Sequence, residues 1–252
     1  MTIPSNSPLT EFIVFPLNCV VRGVEDATQQ DRAYDYVFLC TKAFPSLVNS
    51  ANVVAPLVSE RTGIVAAQNG IGIEDGLLRL FPNNPVSPGE IVNSGFIRFI
   101  IGANPPAQDM PVGEARTAAS ERFRRDQLVA QALVMDLRLS KVPIDLTDNI
   151  QGYRWLKAAW NVAFNPVAVE FESPEVVIER TSKRVAYKPS MVQDYFDGLP
   201  MELETIVKTP LDLAHRFSVP ALHSESVYEI LRLKASPTEK GLERNQTMPA
   251  NS

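Results

Sequence analysis

The chain has 252 residues, of which 45% are hydrophobic and 21% charged, and its formal net charge is −5 at pH 7. These values are typical of a globular protein with one large or two small domains, and they exclude a collagen, a coiled coil or a wholly disordered chain. The acidic balance argues against nucleic-acid binding, because a phosphate backbone requires a basic surface.

The ends and the cysteines of the sequence indicate its cellular environment. Cys19 and Cys40 make no disulfide framework, which is typical of a reducing compartment. Residues 1–8 carry neither a basic nor an apolar segment, so we expect no signal peptide. No apolar stretch approaches the ~20 residues of a membrane span. We therefore expect a cytoplasmic protein with no membrane partner.

The first hundred residues alternate short apolar runs with helical patterns. Five strands are predicted, at Glu11–Phe15, Asn18–Val21, Tyr36–Cys40, Gly63–Ala67 and Phe96–Ile101. Three helices are predicted between them, at Val24–Ala33, Ser46–Val58 and Ile73–Leu80. Two of them, Tyr36–Cys40 and Gly63–Ala67, are continuously apolar, as in a sheet buried on both faces. Strands that alternate with helices indicate a parallel α/β layer over residues 11–103.

Helical patterns replace the strands after Gly113. Four helices are predicted, at Glu114–Leu139, Gln151–Val169, Ser190–Phe217 and Glu225–Leu233. Asp148 is the expected N-cap of the second helix, and Lys141–Leu146 is an extended link before it. We therefore predict an α/β domain over residues 1–105, a helical domain over 106–235 and a disordered tail over 236–252.

A row of three polar residues stands out in an otherwise apolar helix, whose apolar flanks, such as Leu156 and Trp160, predict that most of the helix is buried. Lys157, Asn161 and Asn165 follow one another at intervals of four, so they stack on one helix face. A buried cation with two amides is costly unless a polar group, such as a ligand carboxylate, faces them. A solvated helix face has the same spacing, so the pattern alone leaves both interpretations open. Pro166 is expected to kink the helix and open a space beside Asn165.

Other candidates are weaker when taken alone. Ser190 opens a predicted helix and Glu202 follows in the segment PMELE, a pattern typical of a helix entry and solvated carboxylates. Segment 68–76 joins a strand to a helix with the spacing G-x-G-x-x-x-G, one residue longer than the dinucleotide fingerprint. It nevertheless lies at the carboxyl edge of the sheet, where ligands bind. His215 and His223 form no recognisable zinc site with the cysteines, so we predict no metal.

Taken together, these segments resemble the ketopantoate reductase (2-dehydropantoate 2-reductase) family, in particular its fungal members. The resemblance follows the family's order and covers most of the chain from about residue 12 to 235. The matching segments are YDYVFLCTKAF at 34–44, AAQNGIG at 66–72, FPNNPV at 81–86, SPGEIV at 87–92, WLKAAWNVAFNPVAV at 155–169, YKPSMVQD at 187–194 and PMELE at 200–204. The K-x3-N-x3-N motif and its companion S-M-x-Q-D…E are the specific part of the match.

The resemblance implies an α/β plus α fold, in which an NADPH-binding Rossmann-like sheet domain precedes a helical domain for substrate binding and dimerisation. It implies hydride transfer to the keto carbon of a 2-oxo acid. Lys157 then resembles the catalytic donor to the developing alkoxide, and Glu202 resembles its acidic partner. The family's substrate-binding positions match Asn161, Asn165 and Ser190, and its cofactor-binding positions match Lys42, Asn69 and Gly70.

The sequence departs from the family where the cofactor phosphates bind. The family opens with a strand and G-x-G-x-x-G, whereas residues 1–23 contain one glycine, Gly23. We therefore expect a truncated sheet domain without the first βαβ unit, and shorter segments after Val86 and between residues 168 and 187. A truncated sheet has a bare edge strand, which predicts a homodimer.

Three functions are compatible with this sequence. The first is an NADPH-dependent reductase of a 2-oxo acid or related carbonyl compound. The second is a cofactor-independent cyclase, isomerase or pericyclase of fungal secondary metabolism that uses the pocket of Lys157, the asparagines, Ser190 and Glu202. The third is a binding or scaffold protein, a non-catalytic remnant, or the product of a shortened gene model.

Overall fold

The computed structural model describes residues 20–29, 33–93, 97–107, 110–139, 143–170 and 189–235. The chain divides into two compact units, Met1–Arg154 and Trp155–Ser252, called here the sheet unit and the helical unit. The predicted strand Glu11–Phe15 and the predicted tail lie outside the described residues. Only Val20 and Val21 of the predicted strand Asn18–Val21 are described, and neither is in a strand.

The sheet unit is built on five strands in the order β1-β2-β3-β4-β5. They are β1 (Tyr36–Leu39), β2 (Gly63–Ala66), β3 (Val86–Asn93), β4 (Ile97–Ile101) and β5 (Ile144–Leu146). Strands β1, β2 and β3 pair in parallel, β3 and β4 are antiparallel, and β4 and β5 are parallel. The predicted α/β class is confirmed, with one antiparallel pair in a sheet that was expected to be wholly parallel.

Strand β3 is an element that the sequence does not predict. It contains Pro88 and Gly89, which are usually turn residues and conceal the strand pattern. A Cβ atom on Gly89 would lie 2.6 Å from the Phe99 ring of β4, so only glycine allows this close approach. The turn-like residues therefore mark tight packing inside the sheet rather than the end of a strand.

Helices cover both faces of the sheet. Those of the sheet unit are α1 (Val24–Thr28), α2 (Ser50–Val54, continued by a 3₁₀ turn, Ala55–Leu57), α3 (Asp75–Leu80) and α4 (Glu114–Arg138). Strand β2 is buried on both sides, because Ile64 and Ala66 pack in the cluster that includes α2 and α3. Val65, on the opposite side, packs with Leu133 and Val134 of α4. Alternate residues of one strand thus serve two core layers.

The boundary between the two compact units follows Arg154, later in the chain than the domain boundary predicted near residue 105. Helix α4 packs on the sheet through Leu133 and Val134, and β5 pairs with β4. Both elements therefore join the sheet unit, although the sequence assigns them to the helical half. The bounds of the domains as independent folding units stay a prediction.

Asparagine side chains cap two helices at positions that the sequence does not identify. Asn49 Oδ1 accepts a hydrogen bond from Ala51 N at 3.0 Å, so α2 begins at Ser50 rather than at Ser46. Helix α5 (Ile150–Glu170) begins after Asn149, whose Oδ1 accepts from Gly152 N at 3.1 Å. The expected cap at Asp148 is therefore wrong by one residue.

The helical unit contains most of α5, together with α6 (Ser190–Phe196), α7 (Thr209–Arg216) and α8 (Leu222–Lys234). A π-helical turn, Glu204–Lys208, leads into α7. The single helix predicted over Ser190–Phe217 is interrupted, because Gly198 adopts a φ of +66° and Pro200 follows it. Helix α5 continues past Pro166 to Glu170. The core of this unit consists of Met191, Val192, Met201, Leu203, Ile206, Val207, Leu211 and Leu231.

Two glycines of the sheet unit give a matched test of its packing. A Cβ atom on Gly102 would lie 2.3 Å from the Thr147 carbonyl oxygen, so Gly102→Ala is expected to lower the free energy of unfolding by about 1–3 kcal/mol. Gly76 lies in α3, where a Cβ atom meets ordinary contacts at 3.7 Å or more, so Gly76→Ala is expected to raise it by about 0.5–1 kcal/mol. Urea denaturation measures both, and equal effects of the two variants would contradict the described packing.

Candidate functional site

The polar row on α5 is buried, whereas several of its apolar neighbours are exposed. Asn165 is 2% exposed and Asn161 9%, and Lys157 is half-buried. Leu156 is 73% exposed and Trp160 41%, although the sequence predicts that these flanks are buried. The asparagines therefore do not belong to a solvated helix face. Helix α5 instead turns its amides inward, where each amide requires a hydrogen-bond partner to offset the cost of its burial.

The helical unit buries further polar groups close to apolar ones. Glu202 is 3% exposed and lies between Met201 and Leu203, which both belong to the core. Asp194 on α6 is 5% exposed. Within the described part of the chain, Asn165 Oδ1 and Thr205 Oγ1 are buried without a hydrogen-bond partner. Unpaired buried polar atoms are rare in folded proteins and call for a specific explanation, such as a bound ligand or water.

The π-helical turn Glu204–Lys208 begins two residues after Glu202, and Ile206 N donates to the Glu202 carbonyl oxygen at 3.1 Å. Such turns are uncommon and occur frequently at functional sites. The predicted catalytic and substrate-binding residues all lie in this unit: Lys157, Asn161 and Asn165 on α5, Ser190 exposed at the start of α6, and Glu202 before the π turn. Their functional roles stay predictions.

A second face of α5 lines a small cavity within the helical unit. Its volume is about 140 Å³, close to that of a cavity that holds one benzene molecule. The lining is mostly apolar and consists of Val162, Ala163, Pro166, Val207, His223, Ser224 and Val227. Among the described residues, no three acidic, histidine or cysteine side chains are grouped to hold a metal ion.

The predicted cofactor residues lie in the sheet unit, at the carboxyl ends of two paired parallel strands. Lys42 follows β1 and is exposed, and Asn69 and Gly70 follow β2. Gln68, which is buried, joins the two loops, because its Nε2 donates to Thr41 Oγ1 at 3.1 Å. The structure thus brings these three candidates to one edge of the sheet, where open α/β folds bind ligands.

Two residues that the sequence does not identify form a buried ion pair beside this edge. Arg154, 1% exposed, donates from Nη1 to Glu74 Oε1 at 2.7 Å and from Nη2 to the carbonyl oxygen of Gly70 at 2.7 Å. Gln151 Nε2 also donates to Glu74 Oε1, at 2.8 Å. Glu74 lies in the loop singled out for its glycines, but no pattern in the sequence pairs it with a residue 80 positions later.

The ion pair makes stability depend on pH in a defined direction. Burial alone raises the pKa of Glu74, but the Arg154 guanidinium and its hydrogen bonds hold that pKa below its usual range. A carboxyl whose pKa is lower in the folded state stabilises the fold above its unfolded pKa of about 4.3. This contribution is lost as the pH falls through the folded pKa.

We therefore expect the free energy of unfolding to fall below about pH 4.3 more steeply in the wild type than in the double variant Glu74→Leu/Arg154→Met. Urea denaturation over a series of acidic pH values measures the difference. Arg98→Met breaks an ion pair whose side chains are 46% and 50% exposed, so it serves as the control and should retain the wild-type pH dependence. Identical acid profiles for the wild type and the double variant would contradict the assignment to Glu74.

Comparison with known proteins gives two family matches in chain order. Residues 11–98 match the family described as ketopantoate reductase PanE/ApbA, and residues 169–235 match its C-terminal region.

No helix of the described residues has the length and apolar character needed to cross a bilayer.

Among curated proteins, the chain is 25% identical over 198 residues to the meiotically up-regulated gene 72 protein of Schizosaccharomyces pombe, covering 75% of this chain and 33% of that protein. The chain thus spans about a third of the length of this relative. It is 20% identical to a 2-dehydropantoate 2-reductase of Nostoc sp., covering 71% of this chain and 68% of that enzyme.

Among solved structures, a 2-dehydropantoate 2-reductase from Methylococcus capsulatus superposes with a TM-score of 0.57 at 24% identity. The superposition covers 86% of this chain and 76% of that enzyme. The likeness confirms the predicted fold, a Rossmann-like sheet domain followed by a helical domain.

Proposed function

The chain belongs to the ketopantoate reductase family, and we propose that it reduces the keto group of a 2-oxo acid or a related carbonyl compound with NADPH. The observation that carries the proposal is the buried amide row of α5, in which Asn165 Oδ1 has no hydrogen-bond partner among the described residues. A substrate hydroxyl that donates to this oxygen would remove the cost of leaving it unpaired.

Lys157 is the proposed donor to the carbonyl oxygen. As the keto group is reduced, negative charge develops on its oxygen, and an ammonium group placed there stabilises the transition state more than the ground state. Lys157 then supplies the proton that converts the alkoxide to the product hydroxyl. Glu202, buried at 3% exposure, is its proposed acidic partner. Asn161, Asn165 and Ser190 hold the substrate through hydrogen bonds.

The sheet edge is the proposed site of the nicotinamide cofactor, which supplies the hydride when bound. Lys42 offers a cation, Asn69 an amide, and Gly70 a backbone that a ligand can approach closely because no side chain covers it. These groups fit the nicotinamide end of the molecule.

Fluorescence titration with NADPH tests the proposal directly. Saturable binding that is weakened by Lys42→Ala supports it, because removal of a cation near an anionic ligand lowers affinity. Arg61→Ala removes an exposed cation before β2 and is the control. The absence of binding up to millimolar NADPH would refute the reductase proposal.

That negative result would favour the second candidate, a cofactor-independent cyclase, isomerase or pericyclase. The observation that favours it is the buried polar row of α5, whose groups need no cofactor to polarise a ligand. Lys157 and the amides would then polarise a carbonyl or enol without any redox step. Conversion of the substrate without NADPH, abolished by Lys157→Ala and Glu202→Gln, would establish this function.

We also propose that the protein forms a homodimer in the cytoplasm. Within the described residues, strand β1 pairs only with β2, and Phe38 on it is 42% exposed. An uncovered edge strand offers unpaired backbone groups to another chain. Light scattering across a micromolar concentration range tests this, with a dimer mass expected and a monomer mass at all concentrations as the contrary result.

A further inference from the structure

We propose that Glu74 and Arg154 are positioning residues that hold the loop Gln68–Gly72 in the conformation that binds the cofactor. The inference rests on the proposed function, since it gives these two residues a task toward a molecule contacted by Asn69 and Gly70. Neither residue touches the cofactor in this proposal. They act through the backbone of the loop, and their effect is therefore on affinity.

The guanidinium of Arg154 fixes one peptide of this loop. Its Nη2 donates to the Gly70 carbonyl oxygen at 2.7 Å, and Gly70 adopts a φ of +104°, which residues with a side chain rarely adopt. The peptide between Gly70 and Ile71 is trans and planar, so its N–H points away from its C=O. When the carbonyl faces Arg154, the Ile71 N–H is therefore directed to the opposite side of the loop.

The guanidinium is itself held by Glu74 and Gln151, and Gln151 is held in turn by Asn104. Glu74 precedes α3 and accepts from Arg154 Nη1 at 2.7 Å, while Gln151 Oε1 accepts from the same nitrogen at 3.3 Å. Gln151 Nε2 donates both to Glu74 Oε1 and to Asn104 Oδ1, at 2.8 and 2.6 Å. The planar guanidinium cannot rotate without breaking several charged hydrogen bonds. The Gly70 carbonyl that it contacts therefore has one preferred orientation.

The pair is poorly suited to a purely stabilising role. Glu74 Oε2 and Arg154 Nε are buried and lack a hydrogen-bond partner within the described chain, so part of their desolvation cost is not offset. Apolar residues of similar volume often replace a buried ion pair without loss of stability. These charges are incompletely paired and lie beside the ligand-binding edge of the sheet. A role in orienting the loop therefore explains them better than a role in packing the core.

The double variant Glu74→Leu/Arg154→Met separates the two roles. We expect it to retain the wild-type urea midpoint, because both charges are removed together. Its Kd for NADPH is expected to rise at least about tenfold, because the Gly70 carbonyl has lost its charged donor. Amide hydrogen exchange of residues 69–72, measured without NADPH, should become faster. Arg98→Met, which breaks an exposed ion pair of the same unit, should change none of these quantities.

A second variant keeps the test decisive if the double variant does not fold. Arg154→Lys retains a charge beside Glu74, but an ammonium cannot bridge both Glu74 and Gly70 as the planar fork does, so the Kd should again rise. A wild-type Kd in either folded variant would overturn the positioning role. Failure of the wild-type protein to bind NADPH is a different result, which would overturn the proposed function and this inference with it.

Discussion

Replacing Lys157 with methionine is expected to lower kcat for carbonyl reduction by about 10²–10³-fold, the usual effect of removing one donor to a developing oxyanion. The KM should change much less, because the interaction strengthens only as charge appears on the oxygen. Methionine removes the ammonium group but keeps an unbranched side chain of nearly the same length. Steady-state kinetics with NADPH and a series of 2-oxo acids measure both constants.

Lys208→Met is the matched control for this prediction. Lys208 lies in the same unit, but its side chain is 44% exposed and pairs with Asp212 on the surface. We expect wild-type kinetics for this variant, because a surface ion pair contributes little. A Lys157→Met enzyme with wild-type kcat would remove Lys157 from the reaction and, with it, the proposed role of the polar row.

Arg154→Met alone is expected to lower the free energy of unfolding by about 3–5 kcal/mol, the largest stability effect that the structure predicts. The substitution leaves the Glu74 carboxylate buried at 3% exposure with no cation to offset its desolvation. It also removes the donor to the Gly70 carbonyl oxygen. Urea denaturation at neutral pH measures the loss.

The double variant Glu74→Leu/Arg154→Met tests whether this loss of stability comes from the unpaired Glu74 carboxylate. Removing the carboxylate as well should restore most of the lost stability, so the two substitutions are expected to be strongly non-additive. Additive effects of the two single variants would show that Glu74 and Arg154 do not interact as the structure describes.

The elements with a regular apolar pattern could be predicted from the sequence, whereas those that depend on distant contacts could not. Strand β2 is a continuous apolar run and α4 has a long helical pattern, and the predicted bounds of both agree with the structure to about one residue. Strand β3 has no such pattern, because Gly89 is required by the Phe99 ring of the neighbouring strand. Only the tertiary structure shows that this glycine lies inside a sheet.

The candidate site shows the same limit. The spacing of Lys157, Asn161 and Asn165 places them on one helix face, but it cannot distinguish a buried face from a solvated one. The structure buries both amides and exposes several apolar neighbours, among them Leu156 and Trp160, which were expected to be buried. Arg154 could not be identified at all, because its role depends on Glu74, 80 residues earlier.

The central claim is that the inward polar row of α5 serves the reduction of a carbonyl group. Its most direct test follows NADPH absorbance and product formation together, with the full chain, 2-oxo acids and the Lys157→Met variant. We predict that one NADPH is consumed for each 2-hydroxy acid formed, and that Lys157→Met nearly abolishes both. Consumption of no NADPH, or equal turnover by the variant, would contradict the account.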